Sequence, residues 1–234
     1  MQKMKALLVF PGILFLGLIL NVQLPVLSFA EDLNYDMYEY RPLTVGTSWN
    51  YTAKGLMSFD EVFAEKVVRE EDYSGVKVVL VRHGSGWIDY LEKTDEGIKR
   101  YKHVGPDSES YGVYYPPAIQ YPRYIKINDI YSRENILKDF SIKDDSLIGE
   151  VKEVFTFQLL GIEDVTTPAG NYKDCLKTLS KWKIYNQNGE QVRDKVLLTW
   201  SAKGIGNVKA IYSKHRNGVV VDFSEWYLTN FDIK

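Results

Sequence analysis

Beyond residue 48 the chain alternates apolar and polar positions with a period of two over segment after segment. Trp49, Tyr51 and Ala53 stand between polar neighbours, and the pattern continues through FDEVFAEKVVRE (59–70) and GVKVVLVR (75–82). A two-residue period places every second side chain on one face of a pleated strand. Residues 87–92 and 97–103 read as the next two strands, joined by the turn-forming run Lys93-Thr94-Asp95-Glu96-Gly97. In the second half Val151, Phe155, Phe157 and Leu159 share a face, as do Leu176, Thr178, Trp182 and Ile184. The sets Val196/Leu198/Trp200, Val208/Ala210/Tyr212 and Val219/Val221/Phe223 follow. Asn188-Gly189 and Asn217-Gly218 mark hairpins, because Asn and Gly accept the positive φ of a type I′ turn. These elements predict a mainly β protein: a curved antiparallel sheet of roughly ten strands forming an unclosed, half barrel, with few short helices.

Two segments interrupt the pattern. Gly105 to Tyr124 holds Pro106, Pro116, Pro117 and Pro122 among five tyrosines, and proline cannot donate to a central ladder. It reads as a long surface connection, a candidate lid. Lys138 to Glu150 is polar and reads as a loop or one short helix. A loose echo links Tyr40–Trp49 with Tyr121–Tyr131: tyrosine and proline, an apolar strand, a turn residue, an aromatic. It divides a single domain (31–234) into two related halves, about 40–104 and 121–234.

The first thirty residues differ in kind. Lys3 and Lys5 precede a nearly continuous apolar run from Ala6 to Leu20, and Ser28 and Ala30 stand at minus three and minus one before Glu31. That is the pattern of a secretory signal peptide, residues 1–30, with a retained membrane anchor as the alternative. The expectation is an exported bacterial protein, periplasmic or secreted, with no stable membrane span after cleavage.

Charge and cysteine usage narrow the field. Without Lys3 and Lys5 the 29 basic residues become 27, against 31 acidic ones, which gives no electrostatic case for nucleic acid. One cysteine allows no intramolecular disulfide, so a hydrophobic core must hold the domain together in an oxidising compartment. Cys175 stands next to Asp174, which raises a thiol pKa, and no helix signal lies near it; small filling on a strand is the better reading than a nucleophile. The three histidines, His83, His103 and His215, fit no metal-binding spacing. Gly84-Ser85-Gly86 lacks the strand-to-helix context of a nucleophile elbow and reads as a turn. Gly204-x-Gly206 stands between strands and cradles no phosphate. No catalytic, metal or cofactor residue is nominated.

Seventeen tyrosines, ten phenylalanines and five tryptophans remain as candidate material. They pack a core or line an apolar cavity within the curved sheet. On the cavity reading Trp49, Trp182, Trp200, Tyr114 and Tyr115 contact a lipid or other hydrophobic ligand.

Three phrases, YRPLTVGTSWNYT (40–52), VTTPAGNYKDCLKT (165–178) and TWSAKGIGNVKA (199–210), resemble those of a group of exported bacterial β-proteins of unknown function, the TapB-like proteins. That group is similar in architecture to the lipoprotein carriers of the bacterial envelope, whose unclosed barrel covers an apolar cavity. The resemblance implies an envelope protein and supplies no catalytic residues. Asn128-Asp129 and Lys203 depart from its phrases. Two expectations follow: a non-catalytic envelope protein holding a hydrophobic ligand, or an assembly factor meeting an envelope protein through tyrosines 111 to 124.

Overall fold

The computed structural model describes residues 33–55, 61–216 and 218–234. The signal-peptide segment lies outside them, as do the start of the 59–70 run and Asn217 of the second Asn-Gly pair. The described chain is built from strands: β1 Tyr35–Asp36, β2 Ser48–Gly55, β3 Glu61–Tyr73, β4 Val76–Arg82, β5 Ile88–Thr94, β6 Gly97–Val104, β7 Ser110–Pro122, β8 Tyr124–Ile125, β9 Ile130–Ser141, β10 Leu147–Thr167, β11 Gly170–Tyr185, β12 Gln191–Ala202, β13 Gly206–Arg216 and β14 Val219–Asp232.

Twelve of them form one closed antiparallel barrel, and β1 and β8 make a separate two-stranded ladder. Every barrel strand pairs with its neighbour in the chain, apart from the skip over β8, and β14 pairs with β2 from Ser224↔Gly55 to Asp232↔Ser48. That ladder corrects the expected half barrel: the first and last long strands meet, so no edge is left unpaired. The alternation along each strand shows which residues face the sheet's interior, but not whether its two outer strands find each other. No helix occurs among the described residues, and Lys138 to Glu150 is the end of β9, a turn and the start of β10.

The proline-tyrosine segment also turns out to be strand rather than loop. In the β6–β7 ladder the register jumps from Lys102↔Val113 to Arg100↔Ala118, and the β7–β9 ladder ends at Tyr115↔Ile136. Pro116 and Pro117 lie in that gap, where no ladder donor is lost.

A barrel of about eight strands is filled by its own inward side chains, whereas a wider one leaves a lumen. Here the segment from Tyr35 to Thr47 fills one end. It is held by the β1–β8 ladder and by backbone bonds from Met37 N–H to Arg123 O (2.8 Å) and Gly46 N–H to Val67 O (2.9 Å). Met37 and Tyr40 pack on Phe155, Phe157 and Leu159, while Leu43 joins Trp49, Tyr51 and Leu228. The tip of the β10–β11 hairpin, Pro168-Ala169, is tied to β14 by Ala169 N–H donating to Leu228 O (3.1 Å). This is the closed end. Trp49, Phe155 and Phe157 are completely buried there, and each large side chain so buried contributes roughly 1.5–3 kcal/mol. Trp49 donates its indole N–H to Ile205 O at 2.5 Å, and a Cβ on Gly206 would come within 3.3 Å of that indole. Gly206 also has φ +104°, so both the contact and the backbone favour glycine.

Cys175 is buried opposite Glu163 on the returning strand, as small filling, and burial pushes its thiol up to about 11. The tight turn of VTTPAG is Pro168-Ala169, with Thr167 paired to Gly170.

Candidate functional site

At the opposite end of the barrel the inward side chains are less completely buried. Its inward positions follow from register: Trp182 pairs with Phe155 and Lys195, Leu197 with Tyr212, and Trp226 with Ala53 and Ala210. Phe63, Trp182, Leu197, Tyr212 and Trp226 all face the lumen, yet each is only half-buried. Large side chains that point into a closed barrel and still meet solvent line a cup. One wall is an aromatic series: Tyr51 stacks on Phe63 (5.2 Å), Phe63 meets Trp226 edge-on (5.1 Å), and Tyr212 lies parallel to Trp226 (6.3 Å). Trp182 tilts against Phe155 at 5.0 Å on another wall. At the rim exposed Val219 (64%), Val220, Val221, Leu147, Ile148 and Trp87 alternate with exposed polar turns and strand ends that include Asp107, Glu109, Asp144, Glu190 and Arg193.

Between cup and plug runs a buried line of charges. Arg41, from the plug, donates to Glu65 Oε2 (3.2 and 3.3 Å). His83 bridges Glu65 (2.9 Å) and Asp89 (3.1 Å) through its two ring nitrogens. Arg100 reaches Asp89 at 3.5 Å and lies over the Tyr114 ring at 4.4 Å. With its amide oxygen turned to the guanidiniums, Gln120 accepts from Arg100 Nε (3.1 Å) and from Arg133 (3.2 Å). Arg133 closes the line on Glu153 at 3.0 Å. His103 contacts the Tyr114 hydroxyl at 3.2 Å, and a Cβ on Gly112 would stand 2.6 Å from that imidazole, so only glycine fits beneath it.

The electrostatics follow from this order. Burial favours the neutral form of Glu65, but Arg41 and His83 overcome it and hold the carboxyl down to about 2. Asp89 is likewise held well below the carboxylate range, against burial, by Arg100 and His83. For His83, burial works against protonation, and Glu65 and Asp89 outweigh it, raising the imidazole to about 10. A histidine kept protonated donates from both nitrogens and is no general base near neutral pH. His103 behaves in the opposite way: burial, aided by Arg100, lowers it to about 4 and keeps it neutral.

The five aromatics nominated from sequence are not brought together. Trp182 lines the cup, and Tyr114 is buried at its floor under Arg100. Trp49 is sealed in the closed end. Trp200 alternates with Thr199, which hydrogen-bonds Thr178 inside the barrel, and so faces away from the lumen. Its ring lies between Lys177 (5.2 Å) and Lys209 (4.8 Å), and its N–H donates to Glu163 (2.8 Å). Tyr115 is half-exposed on the outer face, one position along from the inward Tyr114. Tyrosines 111 to 124 are thus divided between faces: Tyr114 and Tyr121 point inward, while Tyr111 stacks on Phe140 outside (5.3 Å). The outer face also carries exposed Lys152, Lys181, Lys183 and Glu134, unlike the apolar band of a barrel that meets acyl chains.

Sequence reasoning missed the charged line, although it left a signal. Glu65 shares the parity of Phe63 and Val67, Arg100 that of Ile98, and Glu153 that of Val151 and Phe155. An ionisable residue at an apolar parity is a buried charge awaiting a partner.

No family model and no curated protein matches the chain. Solved structures do. A protein described as a lipoprotein of Parabacteroides distasonis ATCC 8503 is 15% identical, with 82% of this chain and 98% of that one covered at a TM-score of 0.45. An exported protein with YmcC-like fold from Bacteroides fragilis NCTC 9343 gives 14%, 82%, 98% and 0.45. The hypothetical lipoprotein YmcC of Escherichia coli K12 gives 13%, 80%, 86% and 0.40. None of the three is described as TapB-like or as a lipoprotein carrier. At such identities and TM-scores the likeness assigns no function to this chain.

Proposed function

We propose that this chain is a non-catalytic, exported envelope protein that holds an apolar or amphipathic small molecule in the cup of its barrel. The observation that carries the binding part is the cup itself: five large apolar side chains that face inward and remain half-exposed. A protein with no molecule to hold there gains by burying them, as the closed end does. The exposed valines and leucine of the rim give an apolar ligand a point of first contact between the polar turns. Export rests on the N-terminal pattern of Lys3, Lys5, the apolar run and Ala30. The absence of catalysis rests on His83 being committed to two carboxylates and Cys175 being buried with a raised thiol pKa.

The test is a tryptophan-fluorescence titration of the mature protein with 1-dodecanol. Saturable quenching or a blue shift, abolished by Leu197→Arg with thermal unfolding unchanged, is the expected result. A wild-type spectrum unaltered up to the solubility limit sinks the reading.

A further inference from the structure

One wall of the cup is cationic near the mouth. Lys195 lies on the inward face of β12, paired with Trp182 on β11 and Lys214 on β13. Arg100 and Arg133 have carboxylate partners, Asp89 and Glu153, whereas Lys214 stands opposite Asp222 in the β13–β14 ladder without a salt bridge among the described residues. Arg193, on the same face of β12, partly offsets the rise that burial imposes on the Asp139 carboxyl of β9. Lys195 makes no salt bridge or hydrogen bond among the described residues, and the carboxylate acting on it, Glu153, is already engaged by Arg133. Its pairing with the inward Trp182 turns it toward the lumen, and its charge helps to lower His103 on the far wall.

An ammonium partly withdrawn from water without a close counter-charge is costly, and a bound anion offsets that cost. Here the counter-charge is missing on the wall of an aromatic cup, on the mouth side of Leu197 and Tyr212. We infer that the ligand of the cup carries an anionic group, a carboxylate or a phosphate, which binds Lys195 with Arg193 and Lys214 beside it, while its apolar part lies against Trp182, Tyr212 and Trp226. The inference rests on the cup being a binding site. Arg100 and Arg133 are held in the line below by Asp89, Gln120 and Glu153, so the strand β12–β13 pair supplies the anion contact.

Protonation gives a second readout. Burial, reinforced by Arg193, Arg100 and Lys214 and opposed by Glu153, lowers Lys195 to about 8. Asp139 and Asp222 also face this end, and His103 stays neutral. Anion binding needs the ammonium, so affinity falls as pH rises through about 8.

The experiment compares dodecyl phosphate, dodecanoate, 1-dodecanol and inorganic phosphate by fluorescence titration of the whole mature protein. Both anionic amphiphiles are expected to bind at least ten-fold tighter than the alcohol. Lys195→Met removes that advantage by weakening the anions at least ten-fold relative to the alcohol; Lys195→Arg keeps it and abolishes its decline between pH 7 and 9.5. Lys214→Gln, one strand away, reduces the advantage several-fold and guards against misfolding of the first variant. Equal affinities for alcohol and anions in the wild type overturn the anion inference but leave the cup reading intact. Inorganic phosphate bound as tightly as dodecyl phosphate overturns the cup reading and keeps the anion site. No binding of any of the four overturns both.

Discussion

The two ends of the barrel are made by the same strands and treat aromatic residues in opposite ways. At the closed end Trp49, Phe155 and Phe157 disappear completely beneath the segment from Tyr35 to Thr47, whereas at the cup end Trp182, Tyr212 and Trp226 face the same lumen and stay half-exposed. The charges divide likewise. Arg41, Glu65, His83 and Asp89 satisfy one another next to the plug, and Lys195 near the mouth has only a carboxylate that another residue already uses. The lesson is that wall strands alone do not decide whether a twelve-strand barrel is a core or a container; an extra segment of chain does.

The comparison is most sharply tested by removing a charge from each end. Glu65→Ala strands Arg41 and His83 without their shared acceptor and is expected to cost about 3–5 kcal/mol in urea unfolding. Lys195→Met at the cup end is expected to leave stability unchanged or raised, because it deletes a charge that burial disfavours. Similar losses for the two variants would erase the distinction between the ends.

Truncating an aromatic at each end comes next. Phe157→Ala opens a cavity in packed surroundings and is expected to cost about 3–4 kcal/mol. Trp226→Ala, on a wall that already meets water, should cost about 1–2 kcal/mol by the same measurement. Cys175→Ser puts a hydroxyl among apolar neighbours at the closed end, for a loss of about 1–2 kcal/mol. The native thiol, buried and pushed up to about 11, should react with a chromogenic disulfide reagent only as fast as the protein unfolds.

The charged line also sets a pH profile. Glu65 is depressed from 4.5 to about 2, so its contribution is present above pH 4.5 and disappears as pH falls through about 2. His83 is raised from 6.5 to about 10; its contribution is complete below pH 6.5 and is lost as pH rises through about 10. Urea midpoints measured from pH 6 to pH 10.5 should therefore decline in the wild type and flatten in His83→Gln. The smallest effect belongs to neither end: Tyr115→Ala, on the outer face, should change stability by no more than about 0.5 kcal/mol.

Most strands were legible because their inward positions are apolar and their outward ones polar, as in Ser48–Gly55, where burial alternates residue by residue up to Ala53. The Asn188-Gly189 hairpin was legible through its chemistry, but only Gly189 takes a positive φ (+79°); Asn188 does not, and Gly189 N–H bonds Asn186 O, so the turn is not type I′. Residues 110–122 were not, since prolines argue against a ladder and nothing in the sequence says that Pro116 and Pro117 fall in its gap. Closure was hidden because it depends on Trp226 meeting Ala53, more than 170 positions away in the chain. Of the five nominated aromatics, alternation alone places Trp200 and Tyr115 on the outside once a register is known; single-sequence composition counts them with Trp182. The plug was invisible for a related reason: MYEYRPLTV (37–45) has no strand period, and its residues are buried by the barrel rather than by one another.

The β2–β14 ladder has a consequence in time. Nearly every other long-range pairing joins strands that follow each other in the chain and can form as soon as both exist. The seam alone joins residues 48–55 to residues 224–232, and the amide of Lys234 reaches Thr47 at 3.3 Å to complete it. A contact of such sequence separation is slow to form. Until the last ten residues are in hand, Trp49, Tyr51 and Ala53 sit on an open edge, vulnerable to pairing with another chain. A protein shortened by its final strand would therefore not be a barrel missing one stave: it would be a sticky, eleven-stranded sheet.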